Sequence, residues 1–411
     1  MAVFNLDYYN GEDLYSDGDV ENEILKIVKE NQDIHDIEDE LSFPILYHLS
    51  PMRENILNWY SFKENADVLE IGAGCGAITG ILCNKCSNVT SVELSKRRAA
   101  INYERHKKYD NLTIYVGNLN DIKFDKKFDY VILNGVFEYA GSFTEGDNPY
   151  VDFLKNTVAY MKPTGKMLIA IENRLGLKYF AGSSEDHTNI HFLGLNNYQG
   201  VSTVRTFSKT EMKDVCCEAG LQKVKFFYPY PDYKFPQEIF TDDTINTMEY
   251  GRSCKQYEKD RVNFFKQEHV FSILRKEKIA DKFANSFLVE ATIESESENK
   301  DENQILYAKI NSERAPKFQI GTRIIANKRG ECKVEKYPLT VESTSHILNI
   351  KTSSNIAYGK VNYLADETEN LELCQYSYLK EKNMNSVICE ALDNRDIEGT
   401  EQLLKEIYSN I

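Results

Sequence analysis

The sequence lacks the features that place a chain in a membrane or direct it out of the cell. It contains no run of eighteen apolar residues, which is the length that a membrane-spanning helix needs. Its first residues also lack the basic segment followed by an apolar one that marks a secretion signal. We therefore expect neither a membrane span nor export, and we predict a cytoplasmic protein.

The sequence has no cysteine framework. Nine cysteines occur without regular spacing, and Cys83 and Cys86 form a C-x-x-C pair that no second pair follows. This pattern favours reduced thiols over disulfides, and one pair is too little for a zinc or redox centre. His187 and His191 are also too few for a metal site of their own. The sequence therefore predicts no metal.

Basic residues are scarce where nucleic acid would need them. The net charge is −15, and residues 1–65 carry −11 of it, because fifteen acidic side chains there face four basic ones. No basic stripe follows in the remaining, nearly balanced chain. An acidic leading segment repels phosphates, so the sequence argues against a nucleic-acid partner.

What the sequence does have is a glycine-rich turn between a predicted strand and a predicted helix. Residues 68–71 (Val-Leu-Glu-Ile) are typical of a buried parallel strand, and Gly72, Gly74 and Gly76 allow a tight turn close to a ligand. An apolar helical pattern resumes at Ala77. A helix N-terminus after such a turn suits a carboxylate or phosphate, although a tight turn with no ligand has the same sequence.

A second predicted strand, residues 88–93, ends in Glu93, about twenty residues past the glycines. Doubly wound folds place a carboxylate at this point to bind ribose hydroxyls. The alternative is an ordinary solvated acid at the end of a strand. The spacing favours a nucleotide-type ligand.

Together, residues 68–76 and Glu93 resemble the cofactor half of the class I S-adenosylmethionine-dependent methyltransferases. The glycine pattern is Gly-x-Gly-x-Gly, which differs from the Gly-x-Gly-x-x-Gly of dinucleotide-binding proteins. The resemblance implies a Rossmann-like, doubly wound α/β sheet, with S-adenosylmethionine as cofactor and S-adenosylhomocysteine as product. The cofactor-binding residues that it implies are Glu70, Gly72, Ala73, Gly74, Gly76, Glu93, Leu94, Asn118, Leu119, Asn134 and Gly135.

The segment after the fourth predicted strand departs from one branch of that family. In the family this segment lies beside the transferring methyl group, and here it reads Asn-Gly-Val-Phe-Glu-Tyr over residues 134–139. Enzymes that methylate exocyclic base nitrogens usually have an Asn/Asp-Pro-Pro-Tyr motif at this point. Its absence argues further against a nucleic-acid substrate.

Two charged loops follow the fifth predicted strand, residues 172–176 (Glu-Asn-Arg-Leu-Gly) and 185–188 (Glu-Asp-His-Thr). Loops at the carboxyl ends of parallel strands bind ligands in open α/β sheets. We predict His187 as a general base, oriented by Asp186 or Glu172; the alternative is a surface histidine. The predicted substrate-binding residues are Glu138, Tyr139, Asn173, Arg174 and Arg205.

These loops, with residues 205–208 (Arg-Thr-Phe-Ser) and 228–233 (Tyr-Pro-Tyr-Pro-Asp-Tyr), resemble a methyltransferase subgroup associated with bacterial surface-glycan and glycosyltransferase systems. The resemblance implies a hydroxyl of a glycan, a glycan precursor or another small molecule as methyl acceptor. The aromatic side chains of residues 228–233 either stack on sugar faces or pack the corner of the fold.

The pattern predicts four regions. Residues 1–65 form an N-terminal helical cap, 66–240 the methyltransferase domain, 241–278 a helical connector and 279–411 an α+β, β-rich accessory domain. The accessory strands are predicted at residues 287–293, 305–310, 318–326, 332–337 and 360–364. This last domain distantly resembles a kinase small lobe, with Lys336 on a strand and Glu342 on a helix. The sequence has no phosphate-binding glycine loop and no Asp-Phe-Gly, so it cannot act as a kinase.

Two functions from different classes fit these observations. The first is a methyltransferase that acts on a glycan hydroxyl. The second is a scaffold that binds the cofactor without transferring methyl groups, and that docks a glycosyltransferase, another partner or a second copy of itself through the C-terminal domain.

Overall fold

The computed structural model describes residues 1–11, 13, 18–32, 42–201, 204–248, 262–293, 303–312, 314–354, 373–379 and 384–410. The chain divides into two compact units, residues 1–300 and residues 301–411. None of the helices in the described ranges combines the length and the hydropathy that crossing a bilayer requires.

The first unit is built on one mixed sheet. Its strands in chain order are β1 (Val3–Asn5), β2 (Asp67–Ile71), β3 (Asn88–Glu93), β4 (Leu112–Val116), β5 (Phe128–Asn134), β6 (Met161–Glu172), β7 (Lys223–Tyr230), β8 (Glu238–Thr241) and β9 (Ser286–Thr292). They lie side by side in the order β1-β4-β3-β2-β5-β6-β9-β7-β8. The pairs from β1 to β6 are parallel, and those that involve β9 or β8 are antiparallel. The Rossmann-like parallel sheet predicted from the sequence is present.

Helices connect these strands. They are α1 (Val20–Lys29), α2 (Phe43–Leu49), α3 (Asn55–Asn58), α4 (Thr79–Lys85), α5 (Lys96–His106), α6 (Ala140–Phe143), α7 (Pro149–Val158), α8 (Leu177–Phe180), α9 (Lys209–Glu218), α10 (Gln267–Lys276) and α11 (Ala280–Phe283), with 3₁₀ turns at Pro51–Glu54 and Phe137–Tyr139. A capping box starts α9: the Ser208 hydroxyl accepts from the Glu211 N–H, and the Glu211 carboxylate accepts from the Ser208 N–H. Both bonds satisfy donors that a helix N-terminus otherwise leaves open.

The boundary expected at residue 279 is wrong for one strand. The sequence analysis assigned the strand at residues 287–293 to the accessory domain, whereas β9 pairs with β6 on one side and with β7 on the other. Its side chains are almost all buried, as expected for a strand with neighbours on both sides. The predicted connector also contributes to this unit, because Phe271 of α10 is fully buried.

The N-terminal region is not purely helical. Residues Val3–Asn5, which the sequence analysis placed in the helical cap, add a parallel strand beside β4. The helices α1 and α2 then pack a small apolar core against the glycine loop: Ile24, Ile27, Ile45, Leu49, Cys75 and Ile101. This core fixes the back of the loop that follows β2.

The parallel strands end at one edge of the sheet, and this edge positions the site. Gly72, Leu94, Gly117 and Gly135 are each the first residue after a parallel strand. Because the carboxyl ends of parallel strands form the ligand crevice in open α/β sheets, residues distant in sequence meet there.

The described residues of the second unit form an antiparallel sheet and three helices. Its strands β10 (Gln304–Asn311), β11 (Ile320–Ala326), β12 (Cys332–Pro338) and β13 (Cys374–Ser377) pair in chain order. A 3₁₀ turn at Pro316–Phe318 and the helices α12 (Thr344–Ser354), α13 (Met384–Asp393) and α14 (Ile397–Asn410) complete it. The strand predicted at residues 360–364 lies outside the described residues.

Glu342 does not occupy the helical position that the kinase-like interpretation of this unit requires. Glu342 is exposed and precedes α12, so it does not lie on the helix as the resemblance required. Glu335 is the buried acid of β12, and it pairs with Arg323 of the neighbouring strand.

Candidate functional site

A cavity of about 1110 Å³ lies at the carboxyl edge of the first sheet. Pockets for a single drug-sized ligand have volumes of roughly 300–1000 Å³, so this cavity has room for more than one small molecule. Most of the residues predicted from the sequence line it: Glu70, Gly72, Ala73, Gly74, Glu93, Leu94, Asn118, Leu119, Asn134, Gly135, Glu138, Tyr139, Asp186 and His187. Gly76, Glu172, Asn173, Arg174 and Arg205 are not among the lining residues that the structure describes.

The glycine loop forms one wall by close approach of its backbone. Gly72, Gly74 and Gly76 all have positive φ, between 56° and 78°. A Cβ atom on Gly72 would lie 2.5 Å from Val136, and one on Gly76 would lie 2.3 Å from the Asn102 amide oxygen. Side chains at these positions would therefore strain the backbone and clash with neighbours.

The N–H groups of the loop are already used inside the protein. Those of Gly72 and Ala73 donate to the Val92 carbonyl at 2.9 and 3.1 Å, and that of Gly76 donates to the Ala73 carbonyl at 2.9 Å. The Gly74 N–H donates to the Glu93 carboxylate at 2.7 Å. The loop therefore contributes shape to the cavity, and these four N–H groups are paired within the protein.

Two acids support the loop from the strands. Glu93 is buried and accepts from Gly74 through one carboxylate oxygen and from the Ser95 N–H, at 3.0 Å, through the other. Each oxygen can accept a further hydrogen bond, so Glu93 can still bind the ribose hydroxyls of a cofactor. Glu70 accepts from the hydroxyls of Thr79 and Ser91 at 2.7 and 2.6 Å. Complete burial raises the pKa of Glu70 to about 7.

The far end of this wall provides an unsatisfied acceptor. Asn118 and Leu119 line the cavity just after β4, and Asn134 lines it at the end of β5. The Asn134 amide oxygen is buried and accepts no hydrogen bond from any described residue. Because buried polar atoms are normally paired, a donor group of a bound cofactor would satisfy it. We call this wall, from Gly72 to Asn134, the cofactor half.

The opposite wall brings together acids from separate loops around His187. The imidazole Nδ1 lies 2.8 Å from the Tyr139 hydroxyl, and Nε2 lies 3.4 Å from Glu172 Oε2 and 3.9 Å from Glu138 Oε1. The Glu185 carboxylate fixes the loop by accepting from the N–H groups of His187 and Thr188 at 3.0 and 2.8 Å. The histidine is therefore held in place on both its ring and its backbone.

Two lysines stabilise these acids. The Lys234 ammonium lies 2.6 Å from Glu172 Oε1 and also contacts Asp186. The Lys178 ammonium bridges Asp186 and Asp232 at 3.0 and 2.8 Å. We call this wall, formed by Glu138, Tyr139, Glu172, Lys178, Asp186, His187, Asp232 and Lys234, the acceptor half.

Burial and neighbouring charges within the acceptor half shift the pKa values of His187, Glu138 and Glu172. Burial acts against a charged ring at His187, but the Glu172 carboxylate and its hydrogen bond, with Glu138 and Glu185, raise the pKa of His187 to about 9. Burial raises the pKa of Glu138 to about 8, against the opposing effect of His187. Lys234 and His187 overcome burial at Glu172 and lower its pKa. The His187 ring therefore holds a proton at neutral pH, which is the reverse of what a general base requires.

Several predicted roles change in the structure. The Asn173 amide donates to the carbonyls of Lys282 and Ala284 at 2.8 and 2.7 Å, so it joins two segments of the fold. The guanidinium groups of Arg174 and Arg205 both pair with Glu211, at 2.8 and 3.1 Å. Asp186 orients Lys234 and not the His187 ring, because its oxygens are bound to Lys234, Lys178 and the Tyr179 hydroxyl.

The sequence analysis missed Lys178, Lys234, Phe43 and Tyr47, whereas it did single out the segment 228–233 that contains Tyr233. Tyr47 of α2 and Tyr233 line the cavity, and the Arg53 guanidinium lies 4.1 Å from the centre of the Tyr47 ring. The signal for Lys234 was present, because it follows the Tyr-Pro-Tyr-Pro-Asp-Tyr segment directly. Nothing in the local sequence around Tyr47 indicates a cavity.

Comparison with known proteins finds a family model that matches part of the first unit. Residues 69–167 match the family model described as a methyltransferase domain. These residues run from β2 into β6 and include the glycine loop, Glu93, Asn118, Asn134 and Glu138.

Two curated relatives and one solved structure give the range of similarity. An uncharacterized methyltransferase of Staphylococcus carnosus is 28% identical over 42% of this chain and 80% of its own length. A malonyl-[acyl-carrier protein] O-methyltransferase of Priestia megaterium is 25% identical, over 28% of this chain and 40% of its own length. A Thermotoga maritima S-adenosylmethionine-dependent methyltransferase, described as a possible histamine N-methyltransferase, shares 15% identity with a TM-score of 0.36; the match covers 66% of this chain and 100% of that one.

Proposed function

Because this chain is an S-adenosylmethionine-dependent methyltransferase, we propose that it transfers the methyl group to a hydroxyl of a glycan or glycan precursor. When bound, S-adenosylmethionine supplies a methyl carbon on a positively charged sulfur, which any correctly placed nucleophile can attack. The observation that carries the choice of acceptor is the acceptor half, where buried carboxylates line the cavity beside the segment that follows β5.

The cofactor half fits the methyl donor by its donor and acceptor groups. In this proposal Glu93 accepts from the ribose hydroxyls, Leu119 packs on the adenine and the Asn134 amide oxygen accepts from the amino acid end. Each of these residues lines the cavity, and the Asn134 oxygen has no other partner among the described residues.

The Glu138 carboxylate is suited to receive the acceptor's proton, because burial raises its pKa to about 8 and its ionised form is therefore a stronger base than an ordinary carboxylate. It lies within the cavity wall, 1% of its surface is exposed, and its Oε2 accepts no hydrogen bond from the described residues. A hydroxyl that donates to this oxygen is oriented with its lone pairs away from the carboxylate. As the oxygen attacks, the proton passes to Glu138, which is general base catalysis.

The remaining predicted catalytic residues act through position. Glu172 holds the His187 ring through Oε2 and the Lys234 ammonium through Oε1. Asp186 holds Lys234 in turn. Catalysis here depends mainly on fixing two reactants in line, to which such a rigid wall contributes.

The aromatic rim suits a sugar ring. Phe43, Tyr47 and Tyr233 line the cavity, and Phe43 and Tyr47 stack with ring centres 6.1 Å apart. Aromatic faces next to carboxylates match a ligand that has apolar C–H faces and hydroxyl edges. The Priestia megaterium relative is also named as an O-methyltransferase.

A labelling assay tests the proposal. The full chain is incubated with methyl-labelled S-adenosylmethionine and a panel of oligosaccharides, nucleotide sugars and amines, and the labelled product is hydrolysed and identified by mass spectrometry. We expect O-methyl sugars from the wild type and none from Glu138→Gln. Label found only on nitrogen, or only on amines, would contradict it. The glycosyltransferase partner predicted for residues 279–411 stays a prediction, and co-purification with the full chain tests it.

A further inference from the structure

The carboxylates of the acceptor half outnumber its ammonium groups. Four carboxylates and two ammonium groups occupy it: Glu138, Glu172, Asp186, Asp232, Lys178 and Lys234. The two lysines form ion pairs with Glu172, Asp186 and Asp232. Among the described residues, no lysine or arginine pairs with Glu138. Glu138 therefore depends on the His187 ring for a positive partner, and a buried acid with an unpaired oxygen is costly.

Glu138 is the acid of this group that has an unused acceptor atom. Its carboxylate is 1% exposed, and its Oε2 is buried without a hydrogen-bond partner among the described residues. Its Oε1 faces His187 Nε2 across 3.9 Å, which is too long for a hydrogen bond. This spacing leaves room for an ion between the two groups.

We propose that Glu138, Glu172 and His187 bind one divalent metal cation. One ligand atom from each residue lies within 4.8 Å of the other two, and Nε2 lies 3.4 Å from Glu172 Oε2. Ligands around a metal at bond lengths of about 2.1 Å lie roughly 3 to 4 Å apart, so little movement closes the site. Two carboxylates and a neutral imidazole then balance a divalent cation.

The surroundings of His187 support a metal ligand. A metal-bound histidine usually donates its other ring N–H to an oxygen, and here the Tyr139 hydroxyl lies 2.8 Å from Nδ1. Lys234 holds Glu172 in a similar way: its ammonium group binds Oε1, and Oε2 faces His187. One imidazole with two carboxylates suits Mn²⁺, Fe²⁺ or Zn²⁺ better than a purely oxygen-loving ion.

The cation would also define the acceptor. A bound divalent ion with three protein ligands has open positions that adjacent hydroxyls of one sugar can fill, and it lowers the pKa of a hydroxyl that it binds. This link to the acceptor rests on the proposed methyl transfer to a hydroxyl. With Glu138 Oε1 on the cation, Oε2 remains available for the proton.

Titration with Mn²⁺ alone tests the site, with neither cofactor nor acceptor present. The full chain, first treated with EDTA and desalted, is titrated with Mn²⁺ and followed by electron paramagnetic resonance. We expect one bound ion per chain, with nitrogen coupling from a single histidine. Glu138→Gln should raise the Kd for Mn²⁺ roughly tenfold or more, and His187→Gln should abolish the nitrogen coupling.

Glu70→Gln is the matched control, because Glu70 is also a buried carboxyl of this cavity but lies on β2, next to the cofactor half and away from His187. It should leave the Kd for Mn²⁺ unchanged. Thermal unfolding of each variant shows whether it is folded, and the wild-type coupling alone decides the matter if a variant is not. The proposed site would be overturned if no Mn²⁺ bound, or if it bound without histidine coupling. An equal loss of Mn²⁺ affinity in Glu138→Gln and Glu70→Gln would also overturn it.

The metal site and the methyl acceptor can fail separately. Specific Mn²⁺ binding without O-methylation of any sugar would retain the site and refute the proposed function. O-methylation that persists after EDTA treatment, in a chain that binds no Mn²⁺, would do the reverse.

Discussion

The two walls of the cavity are built in different ways. The cofactor half comes from one stretch of chain, Gly72 to Asn134, and much of it is backbone pinned by hydrogen bonds to Val92 and Glu93. The acceptor half joins side chains from loops between residues 138 and 234, and its contacts are ion pairs between distant residues. A local backbone turn offers one fixed surface to a ligand, whereas side chains gathered from separate loops can vary to specify one acceptor.

The largest expected effect separates the halves. Glu138→Gln removes the proposed proton acceptor, so methyl transfer should fall by roughly 10²- to 10⁴-fold. The affinity for S-adenosylhomocysteine should not change, because Glu138 lies outside the cofactor half. Single-turnover labelling and calorimetric titration measure the two quantities. A parallel loss of affinity would show that the two halves do not act separately.

The second effect is on the stability of the acceptor half. Lys234→Met leaves Glu172, which is fully buried, without its ammonium partner. Removing one member of a buried ion pair typically costs about 3–5 kcal/mol of unfolding free energy. Chemical denaturation measures it. Lys107→Met is the control, since its ion pair with Glu104 is exposed and should contribute little.

The third effect belongs to the cofactor half. Glu93→Ala removes the acceptor of the Gly74 and Ser95 N–H groups as well as the proposed partner of the ribose. Hydrogen bonds to a charged group contribute about 1.5–3 kcal/mol, so affinity for S-adenosylhomocysteine should fall by roughly ten- to a hundredfold. Titration calorimetry tests this, with Glu138→Gln as the comparison. An unchanged affinity would remove Glu93 from the cofactor site.

The smallest effect concerns acid, and it again distinguishes the halves. His106 packs behind the glycine loop, where its Nδ1 lies 2.8 Å from the Asn102 amide oxygen. Burial, with Arg105 nearby, lowers the pKa of His106 to about 3. The folded protein therefore binds fewer protons than the unfolded chain between the unperturbed pKa of about 6.5 and pH 3. The stability that this group contributes is complete above pH 6.5 and is lost as the pH falls toward 3.

His106→Asn should remove this sensitivity. Below pH 6.5 the wild type should lose up to about 1.4 kcal/mol per pH unit relative to the variant. Glu54 and Glu70 change stability in the opposite direction, because burial raises the pKa of each to about 7, so the comparison with the variant is essential. Thermal unfolding at several pH values measures the difference. Parallel curves would contradict the assignment.

Local patterns predicted the cofactor half well. The second predicted strand, residues 88–93, has the bounds of β3, and Glu93 lies at its end next to the glycine loop. Strand, turn and helix signals act over a few residues, so they can be read along the chain. The hydrogen bonds of the loop N–H groups could not be read along the chain in this way. Val92, which accepts two of them, becomes a neighbour only through the pairing of β2 with β3.

The acceptor half and the domain boundary depended on contacts that the sequence does not show. Asn173, Arg174 and Arg205 have the charge or polarity of ligand-binding residues, but Lys282, Ala284 and Glu211 are their partners in the fold. The strand β9 joins β6 across more than a hundred residues of chain, and no local signal separates it from the strands of the second unit. Such pairings are decided by burial between neighbours.

The structure of the full chain bound to S-adenosylhomocysteine tests the central claim most directly. The account predicts the ribose against Glu93, the adenine against Leu119 and the sulfur directed toward Glu138 and His187. Enough of the cavity should remain open beyond the sulfur for a sugar ring. A ligand seated with its sulfur away from Glu138 and His187, or with its adenine in the acceptor half, would contradict the division of the cavity and the acceptor inferred from it.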